Sequence, residues 1–176
     1  MSGVDRATRI GSQLLTMARI EPQLNSPRLS RIDLSALVRE ELAELTPLAL
    51  EKDVELVLEG DEGCLIATDP VALAIALQNL VTNALNFAPA GSEVRVGLRP
   101  QADGAMHLCV EDAGPGIDEQ QRERLLERFY SQGNANGAGL GLAIVQMIVS
   151  KIGGRLELRN RPEGGLCALL LLRPAL

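Results

Sequence analysis

Aromatic residues are scarce in this sequence of 176 residues, which has two phenylalanines, one tyrosine and no tryptophan. The core must therefore consist of leucine, valine, isoleucine and alanine, and 46% of all residues are hydrophobic. Histidine occurs once, and three widely separated cysteines form no Cys-x-x-Cys pair. This argues against a zinc site or a disulfide framework. We expect Cys64, Cys109 and Cys167 to be buried, reduced thiols.

Basic charge is also in deficit, because 17 basic residues stand against 23 acidic ones and give a net charge of −6. A nucleic-acid-binding protein normally carries a basic surface, so this class is disfavoured. The longest uninterrupted apolar runs, such as Leu166–Leu172, are far shorter than the roughly 18 residues that span a bilayer. No secretion signal opens the chain. We expect a cytoplasmic chain that is not inserted in a membrane.

The first thirty residues differ from the rest of the sequence. They contain apolar residues spaced like one seam of a coiled coil, namely Ala7, Ile10, Leu14, Met17 and Leu24. Pro22 and Pro27 predict that this helix ends in a linker. The segment is either part of a dimerisation helix or an amphipathic helix packed on its own domain, and the pattern leaves both interpretations open.

From residue 30 onward, predicted strands and helices are interspersed. Start signals at Asp33 and at Asp69-Pro70 precede two of the helices, and Pro47 is expected to bend or shorten the first. The glycine-rich turn at 60–63 predicts a hairpin. Strands are predicted at 54–58, 64–67, 93–98, 106–111, 155–159 and 166–172, and helices at 35–51, 71–86, 118–128 and 139–151.

This order predicts an α+β fold, a two-layer α/β sandwich with a mostly antiparallel mixed sheet and helices on one face. A short N-terminal helix precedes it. We expect residues 1–29 and 30–176 to form separate parts of the chain.

The predicted helix at 71–86 contains no charged residue. Asn79, Asn83 and Asn86 are spaced i, i+4, i+7 and share one face. Asparagine is a poor helix former, so this stripe indicates a polar cavity rather than an ordinary exposed face. Amide oxygens there can coordinate a hard cation such as Mg²⁺, and amide NH₂ groups can contact phosphate. A solvated asparagine stripe is the alternative.

Asp112 follows a predicted strand, and Gly114 and Gly116 come directly after it. Glycines let the backbone pass close to a ligand while the carboxylate is directed into a cleft. A carboxylate only accepts hydrogen bonds, so it suits the exocyclic amine of adenine and repels the carbonyl of guanine. The alternative is a plain turn, because these residues are common turn formers.

Gly137, Gly139 and Gly141 open the last predicted helix, where exposed N–H groups and the helix dipole favour an anion. The segment is not a dinucleotide fingerprint, because its sixth position is Leu142, and the chain contains no Walker Gly-Lys-Ser/Thr. A flexible linker is the alternative for this glycine triplet. The small, polar residues at 131–136, just before it, indicate a lid over the site.

Taken in order, these segments resemble the ATP-binding domain of sensor histidine kinases, over about residues 30–172. The matching motifs are 79–84 (N box), 112–116 (G1), 127–130 (F box) and 137–142 (G2). The resemblance implies the Bergerat fold of the GHKL ATPases, with ATP and Mg²⁺ as cofactors. Two positions depart from the family pattern: Asn86 stands where a basic residue is frequent, and Leu166-Cys167 stands where threonine is common.

The resemblance also implies roles for individual residues. Asn83, with Asn79, would bind Mg²⁺; Asp112 would contact the adenine amine; and the backbone of 139–141 would hold phosphates. The ATP-binding residues implied by the resemblance are Asn79, Asn83, Asn86, Phe87, Asp112, Gly114, Gly116, Ile117, Phe129, Gly137, Gly139, Leu140, Gly141 and Leu142.

Residues 1–29 resemble the end of the second dimerisation helix of these kinases and the linker that follows. The family's phosphoacceptor is a histidine followed by an acidic residue. His107, the sole histidine, is followed by leucine and lies in a predicted strand, so we expect it to be structural and assign no catalytic residue.

The implied function is that of a protein-histidine kinase catalytic domain, which donates the γ-phosphoryl group of ATP to a histidine on a separate dimerisation domain. The implied partners are its own dimerisation domain, a response-regulator receiver domain and, in the full-length protein, a second copy. The implied location is the cytoplasmic part of an inner-membrane sensor. Two alternatives are an ATP-hydrolysing clamp of the gyrase type and a nucleotide-binding module without transfer activity.

Overall fold

Seven strands and three long helices are present in the part of the chain that the computed structural model describes, namely residues 11, 15, 18–22, 25–60, 63–121 and 138–174. The helices are α1 (Leu34–Glu51), α2 (Pro70–Phe87) and α3 (Ala138–Lys151). The strands are β1 (Ser30–Asp33), β2 (Glu55–Gly60), β3 (Leu65–Thr68), β4 (Glu93–Pro100), β5 (Met106–Glu111), β6 (Arg155–Asn160) and β7 (Leu166–Leu172).

Two buried or half-buried aspartates fix the starts of α1 and α2. Asp33 Oδ1 accepts hydrogen bonds from the backbone N–H of Ser35 at 3.0 Å and from its hydroxyl at 2.6 Å. Asp69 Oδ1 accepts from the N–H groups of Val71 and Ala72 at 3.1 and 3.2 Å. Each cap satisfies N–H groups that have no partner within the helix. The predicted start signals are confirmed.

Pro47 lies inside α1 and does not end it, since the helix continues to Glu51. Proline removes one backbone donor, but the flanking turns keep helical hydrogen bonds. The Thr46 hydroxyl also donates to the carbonyl of Leu42 at 3.0 Å. Of the two effects expected of Pro47, a bend or a shorter helix, the shortening does not occur, and the predicted end near Glu51 is confirmed.

Five strands form one sheet in the order β2-β4-β5-β7-β6, in which only β2 and β4 run parallel. The register aligns apolar residues in rows across the sheet, because side chains at equivalent positions point to the same face. One such row contains Leu58, Val96, Val110, Ala168 and Leu158. The helices pack on this apolar face, which confirms the predicted two-layer α+β sandwich.

α2 is the central helix of the core. Its buried residues are Ala72, Leu73, Ala76, Leu77, Leu80, Val81, Ala84 and Leu85. By length and composition alone this helix would suffice to cross a membrane. The buried face instead packs against the sheet and α3, so its apolar character is explained by the core of the domain.

The opposite face of the sheet carries ion pairs. Arg95 pairs with Glu59 at 3.4 Å, and Arg155 pairs with Glu157 at 2.7 Å. Arginines and glutamates therefore alternate on the face that the helices leave uncovered, while apolar side chains occupy the other face.

The predicted hairpin between the first two strands is wrong. β2 pairs in parallel with β4, and β3 pairs antiparallel with β1 in a separate two-stranded sheet. Parallel pairing requires a long crossover connection, and the chain between β2 and β4 supplies one through α2. Gly60 has a φ of 130°, and a Cβ there would lie 2.4 Å from the carbonyl oxygen of Leu98. The glycine thus serves a close strand contact rather than a hairpin turn.

Several predicted features lie wholly or mainly outside the described residues. These are the heptad positions Ala7, Ile10, Leu14, Met17 and Leu24, most of the predicted helix at 118–128, and the predicted lid at 131–136. Of the helix at 118–128, the described part shows a short 3₁₀ turn, Glu119–Gln121. Residues 18–22 are helical, and within them Ile20 is 2% exposed and belongs to the hydrophobic core.

Candidate nucleotide-binding site

The predicted asparagine stripe lies on α2 beside the buried face of that helix. Asn79, Asn83 and Asn86 are each half-buried. The Asn79 Nδ2 group donates to the carbonyl of Ile75, one turn earlier, at 2.8 Å. No described residue donates to its Oδ1 atom, which can therefore accept a hydrogen bond from a ligand or coordinate a cation.

Asn83 and Asn86 have no side-chain hydrogen bond to another residue within the described ranges. A half-buried amide without a protein partner keeps its donors and acceptor available for a ligand or for water. The structure thus provides one helix face of neutral amides with no formal charge of either sign on α2.

Asp112 directly follows β5, and its side chain is 2% exposed. Its Oδ1 atom accepts hydrogen bonds from the backbone N–H groups of Gly114 at 2.8 Å and of Leu166 at 3.3 Å. Among the described residues, none donates to its Oδ2 atom. One oxygen therefore fixes the carboxyl group to the protein, and the other remains as an acceptor for a ligand.

Burial raises the pKa of the Asp112 carboxyl above its ordinary value. Three partners oppose this effect and lower the pKa again: the N–H groups of Gly114 and Leu166 and the guanidinium of Arg161. Without a ligand, a buried carboxylate with one oxygen that lacks a hydrogen-bond partner lowers the stability of the folded protein. Such perturbed groups are concentrated at functional sites.

The asparagine helix and the Asp112 loop meet at Gly114. A Cβ at this glycine would lie 2.6 Å from the carbonyl oxygen of Phe87, the last residue of α2. Only glycine allows so close an approach between the loop and the helix end. The amides of α2 and the Asp112 carboxylate therefore belong to one region of the molecule.

Gly116 has a left-handed backbone, with a φ of 78°, and a Cβ there would lie 2.5 Å from Asn160 Oδ1. Ile117 is half-buried and packs at the edge of the core. Both predicted site residues thus lie in the loop after Asp112. Asn160, at the end of β6, was not among the predicted site residues.

The glycine-rich motif lies at the start of α3. The helix begins at Ala138, so Gly139, Leu140 and Gly141 occupy its first turn, where backbone N–H groups have no partner within the helix. Leu142 is 2% exposed and contributes to the core. The predicted residues Phe129 and Gly137 lie outside the described part of the chain.

The remaining polar candidates lie in the strands or directly next to them. His107 is half-buried in β5, where its register partners are Arg99 and Leu171. The three cysteines are free, and Cys64 and Cys109 are buried as predicted. Cys167 is only partly buried, so the prediction of a buried thiol there is wrong. In the described ranges, no group of three or more His, Cys, Asp or Glu residues could hold a metal ion.

A five-stranded sheet with helices on one face, a buried aspartate after a strand and amides on the neighbouring helix define a class of nucleotide-binding ATPase domains. The model of the histidine kinase-, DNA gyrase B- and HSP90-like ATPase family matches residues 68–175. The chain belongs to this family, and the resemblance inferred from the motifs is confirmed.

Curated relatives are sensor proteins of bacteria. The chain is 39% identical over 157 residues to the swarming motility regulation sensor protein RssA of Serratia marcescens, covering 88% of this chain and 34% of that protein. It is 36% identical over 168 residues to the sensor protein QseC of Escherichia coli O157:H7, covering 93% of this chain and 36% of that protein. The chain thus spans about a third of the length of these relatives.

Solved structures agree with the fold. A mycobacterial sensor histidine kinase, MprB, matches with a TM-score of 0.73 and 28% identity, covering 84% of this chain and 99% of that one. The cytoplasmic segment of the histidine kinase QseC matches with a TM-score of 0.66 and 26% identity, covering 99% of this chain and 97% of that one. The catalytic domain of the histidine kinase ThkA, at 21% identity, shares the fold with a TM-score of 0.77, covering 84% and 97%.

Proposed function

We propose that this chain binds Mg²⁺-ATP and donates the γ-phosphoryl group to a histidine on a separate dimerisation domain, as part of a two-component signalling protein. The observation that carries the proposal is the approach of Gly114 to the Phe87 carbonyl. We infer that this approach brings the open oxygen of Asp112 and the amide face of α2 to one cleft, where one nucleotide can contact both.

Each group in this cleft has a role that its chemistry supports. The open Oδ2 atom of Asp112 accepts a hydrogen bond from the amine of adenine. The backbone N–H groups in the first turn of α3, at 139–141, face the negative charge of the phosphates, with the helix dipole in support. Gly116 lets the loop after Asp112 pass close to Asn160 at the end of β6.

The residues present fit a magnesium ion that arrives with the nucleotide. Mg²⁺ prefers oxygen ligands and usually retains waters and phosphate oxygens in its coordination shell. Asn83 offers an amide with no partner in the described part of the chain, and no described residue donates to the Asn79 Oδ1 atom. We propose Asn83 as the principal protein ligand, with Asn79 beside it. When bound, the ion would neutralise phosphate charge.

Positioning accounts for the catalytic contribution of this chain. Phosphoryl transfer requires little covalent chemistry from the protein, since alignment and charge stabilisation supply most of the rate. The described residues hold the base at Asp112 and the phosphates beside α2 and α3. The attacking nitrogen comes from the partner's histidine, in agreement with the structural position of His107 in β5.

The same proposal implies how the chain is divided, which partners it has and where it is located. Residues 1–29 are the end of a dimerisation helix and its linker, and residues 30–176 are the catalytic part. The partners are the chain's own dimerisation domain, a second copy in the full-length protein and the receiver domain of a response regulator. We place the chain on the cytoplasmic side of an inner-membrane sensor.

The structure disfavours the alternative of an ATP-hydrolysing clamp. That class of protein places a water-activating glutamate four residues before the magnesium asparagine, and here this position is Asn79. An amide cannot accept a proton at neutral pH, and the Asn79 NH₂ group is already bonded to Ile75. Transfer to a better nucleophile than water is therefore favoured over rapid hydrolysis.

A mixing experiment tests the proposal. The purified chain is incubated with Mg²⁺ and ATP labelled at the γ-phosphate, alone and with a sensor-kinase dimerisation domain that carries the phosphoacceptor histidine. We expect an acid-labile phosphoryl group on the added domain only, and none when Asn83→Ala replaces the wild type. ATP hydrolysis without transfer would support the clamp, and nucleotide binding without either reaction would support the binding module.

A further inference from the structure

The end of β6 and the turn that follows it form hydrogen bonds with the loop that carries Asp112. Asn160 Oδ1 accepts from the backbone N–H of Ile117 at 2.8 Å, and its Nδ2 group donates to the carbonyl of the same residue at 2.8 Å. The Nδ2 group also donates to Glu119 Oε1 at 3.0 Å. One side-chain amide thus takes the place of a neighbouring strand and satisfies both backbone groups of Ile117.

Arg161 holds the other end of the loop. Its NH1 group donates to the backbone carbonyl of Asp112 at 2.7 Å, and its Nε atom lies 3.3 Å from Glu111 Oε2. The guanidinium is 19% exposed, and its NH2 group bonds Glu163 at 2.8 Å. Its position is therefore set by a carboxylate on each side, and the fork geometry of arginine allows all three contacts at once.

The turn also fits the loop sterically. Gly165 has a φ of 98°, and a Cβ there would lie 1.9 Å from the carbonyl oxygen of Asp112. The same carbonyl accepts the Arg161 hydrogen bond. The loop at 112–117 is thus held between the end of α2, through Gly114, and the turn at 160–165. Neither Asn160 nor Arg161 contacts the amide face of α2 through any hydrogen bond within the described ranges.

We propose that Asn160 and Arg161 are positioning residues for base selection: they fix the loop at 112–117 so that the open oxygen of Asp112 meets the amine of adenine. This inference rests on the proposed nucleotide-binding function. Asn160 restrains the backbone after Gly116, and Arg161 restrains the backbone of Asp112 itself. Through the loop, the two residues affect only the contacts to the base of the nucleotide, whereas α2 and α3 provide the contacts to the phosphates.

Two substitutions isolate these restraints. Asn160→Asp keeps the size of the side chain and can still accept from the Ile117 N–H, but it cannot donate to the Ile117 carbonyl and it repels Glu119. Arg161→Met keeps the apolar stem and removes both the charge and the donors. Arg161→Lys restores the charge without the fork. Arg159→Met, two residues before Arg161, is the matched control, because Arg159 pairs with Glu157 and forms no hydrogen bond or ion pair with the loop among the described residues.

The measurement is the dissociation constant for Mg²⁺-ATP and for Mg²⁺-ITP, whose base carries a carbonyl where adenine has its amine. Wild type should prefer ATP, and Asn160→Asp and Arg161→Met should each lower that preference about tenfold, as expected for losing a charge-assisted or paired hydrogen bond. ITP affinity should stay within about twofold of wild type, since the phosphate contacts remain. Arg161→Lys should recover part of the preference, and Arg159→Met should behave like wild type.

The outcomes separate this inference from the proposed function. Equal losses for ATP and ITP, or an unchanged preference in both variants with melting temperatures near that of wild type, would overturn the positioning role. If Asn160→Asp or Arg161→Met unfolds, the test rests on Arg161→Lys. The proposal is overturned if this variant keeps both the full preference for ATP over ITP and the full stability of the wild type. The adenine role of Asp112 is contradicted if the wild type does not prefer ATP, or if Asp112→Asn leaves that preference unchanged. In either case the positioning role of Asn160 and Arg161 is contradicted as well.

Discussion

The carbonyl oxygen of Phe87 lies 2.6 Å from the point where a Cβ of Gly114 would stand. This approach joins the C-terminal end of α2 to the loop that carries Asp112. Asn86, beside Phe87 on α2, and Asp112 are 26 positions apart in the sequence, and this contact brings their segments to the same region of the molecule. The nucleotide-binding proposal depends on this contact, and it can be tested directly.

Gly114→Ala should displace the loop from the end of α2. The added methyl group meets a backbone oxygen that cannot rotate away, so we expect the free energy of unfolding to fall by roughly 1–3 kcal/mol. Urea unfolding measures the change, and nucleotide affinity should fall with it. Gly97→Ala is the matched control, since a Cβ at Gly97 meets nothing within 4 Å. Equal stability of the two variants would contradict the contact.

Asn83→Ala should weaken the magnesium-dependent part of nucleotide binding. Losing one oxygen ligand is expected to lower ATP affinity in the presence of Mg²⁺ by about tenfold or more, ~1.4 kcal/mol. In EDTA the wild type and the variant should bind equally. Calorimetry gives both values, and Gln101→Ala, an exposed amide in the β4–β5 turn, is the control. The same affinity loss with and without magnesium would remove the metal role of Asn83.

Asp112→Asn should change which base the site prefers. The carboxylate only accepts hydrogen bonds, whereas the amide both donates and accepts. We expect the variant to lose affinity for ATP while relatively sparing GTP, so that the ATP:GTP affinity ratio falls. Competition against a fluorescent nucleotide measures this ratio. A parallel loss for both nucleotides would indicate a structural role for Asp112 instead of adenine recognition.

The stability of the ligand-free protein should depend on pH through Asp112. Burial raises the pKa of this carboxyl in the folded state, so the folded state favours the protonated form. The contribution of the protonated Asp112 carboxyl to the stability of the folded state is complete below the ordinary pKa of an aspartate. It is lost as the pH rises through the raised pKa. Arg161 lowers the pKa from the β6–β7 turn, and Glu111 is the adjacent carboxylate; α2 contributes no charged group.

Asp112→Asn removes this titration while keeping an oxygen for the N–H groups of Gly114 and Leu166. Its melting temperature should therefore exceed that of the wild type near pH 7, and the difference should shrink as the pH is lowered through the raised pKa. Thermal unfolding across a pH series measures the difference. A difference that is constant with pH, or one that grows in acid, would show that the Asp112 carboxyl is not destabilised by burial.

The helices and most strands follow from local sequence. Asp33 and Asp69 mark helix starts because a short acidic side chain can cap free N–H groups without help from the rest of the fold. The charge-free, asparagine-bearing segment that became α2 and the aspartate followed by glycines after β5 are equally local signals. These signals predict both sides of the candidate site without any tertiary contact.

Which strands pair with each other is harder to predict from the sequence. The turn residues at 60–63 favour a hairpin, yet β2 pairs with β4 and β3 pairs with β1. A strand's hydrogen-bonding groups are satisfied equally well by any neighbour in register, so the choice is made by packing over the whole sheet. The role of Asn160 was hidden for the same reason, because its partner Ile117 is 43 residues away in the sequence.

Local sequence dictates where helices begin, which faces are apolar and which residue types are available to bind a nucleotide, because these properties depend on side chains a few positions apart. Two contacts arise from tertiary packing instead: Gly114 touches the end of α2, and the β6–β7 turn holds the Asp112 loop. Such contacts join segments distant in the chain, and their geometry exists only once the sheet and the core helices have packed together.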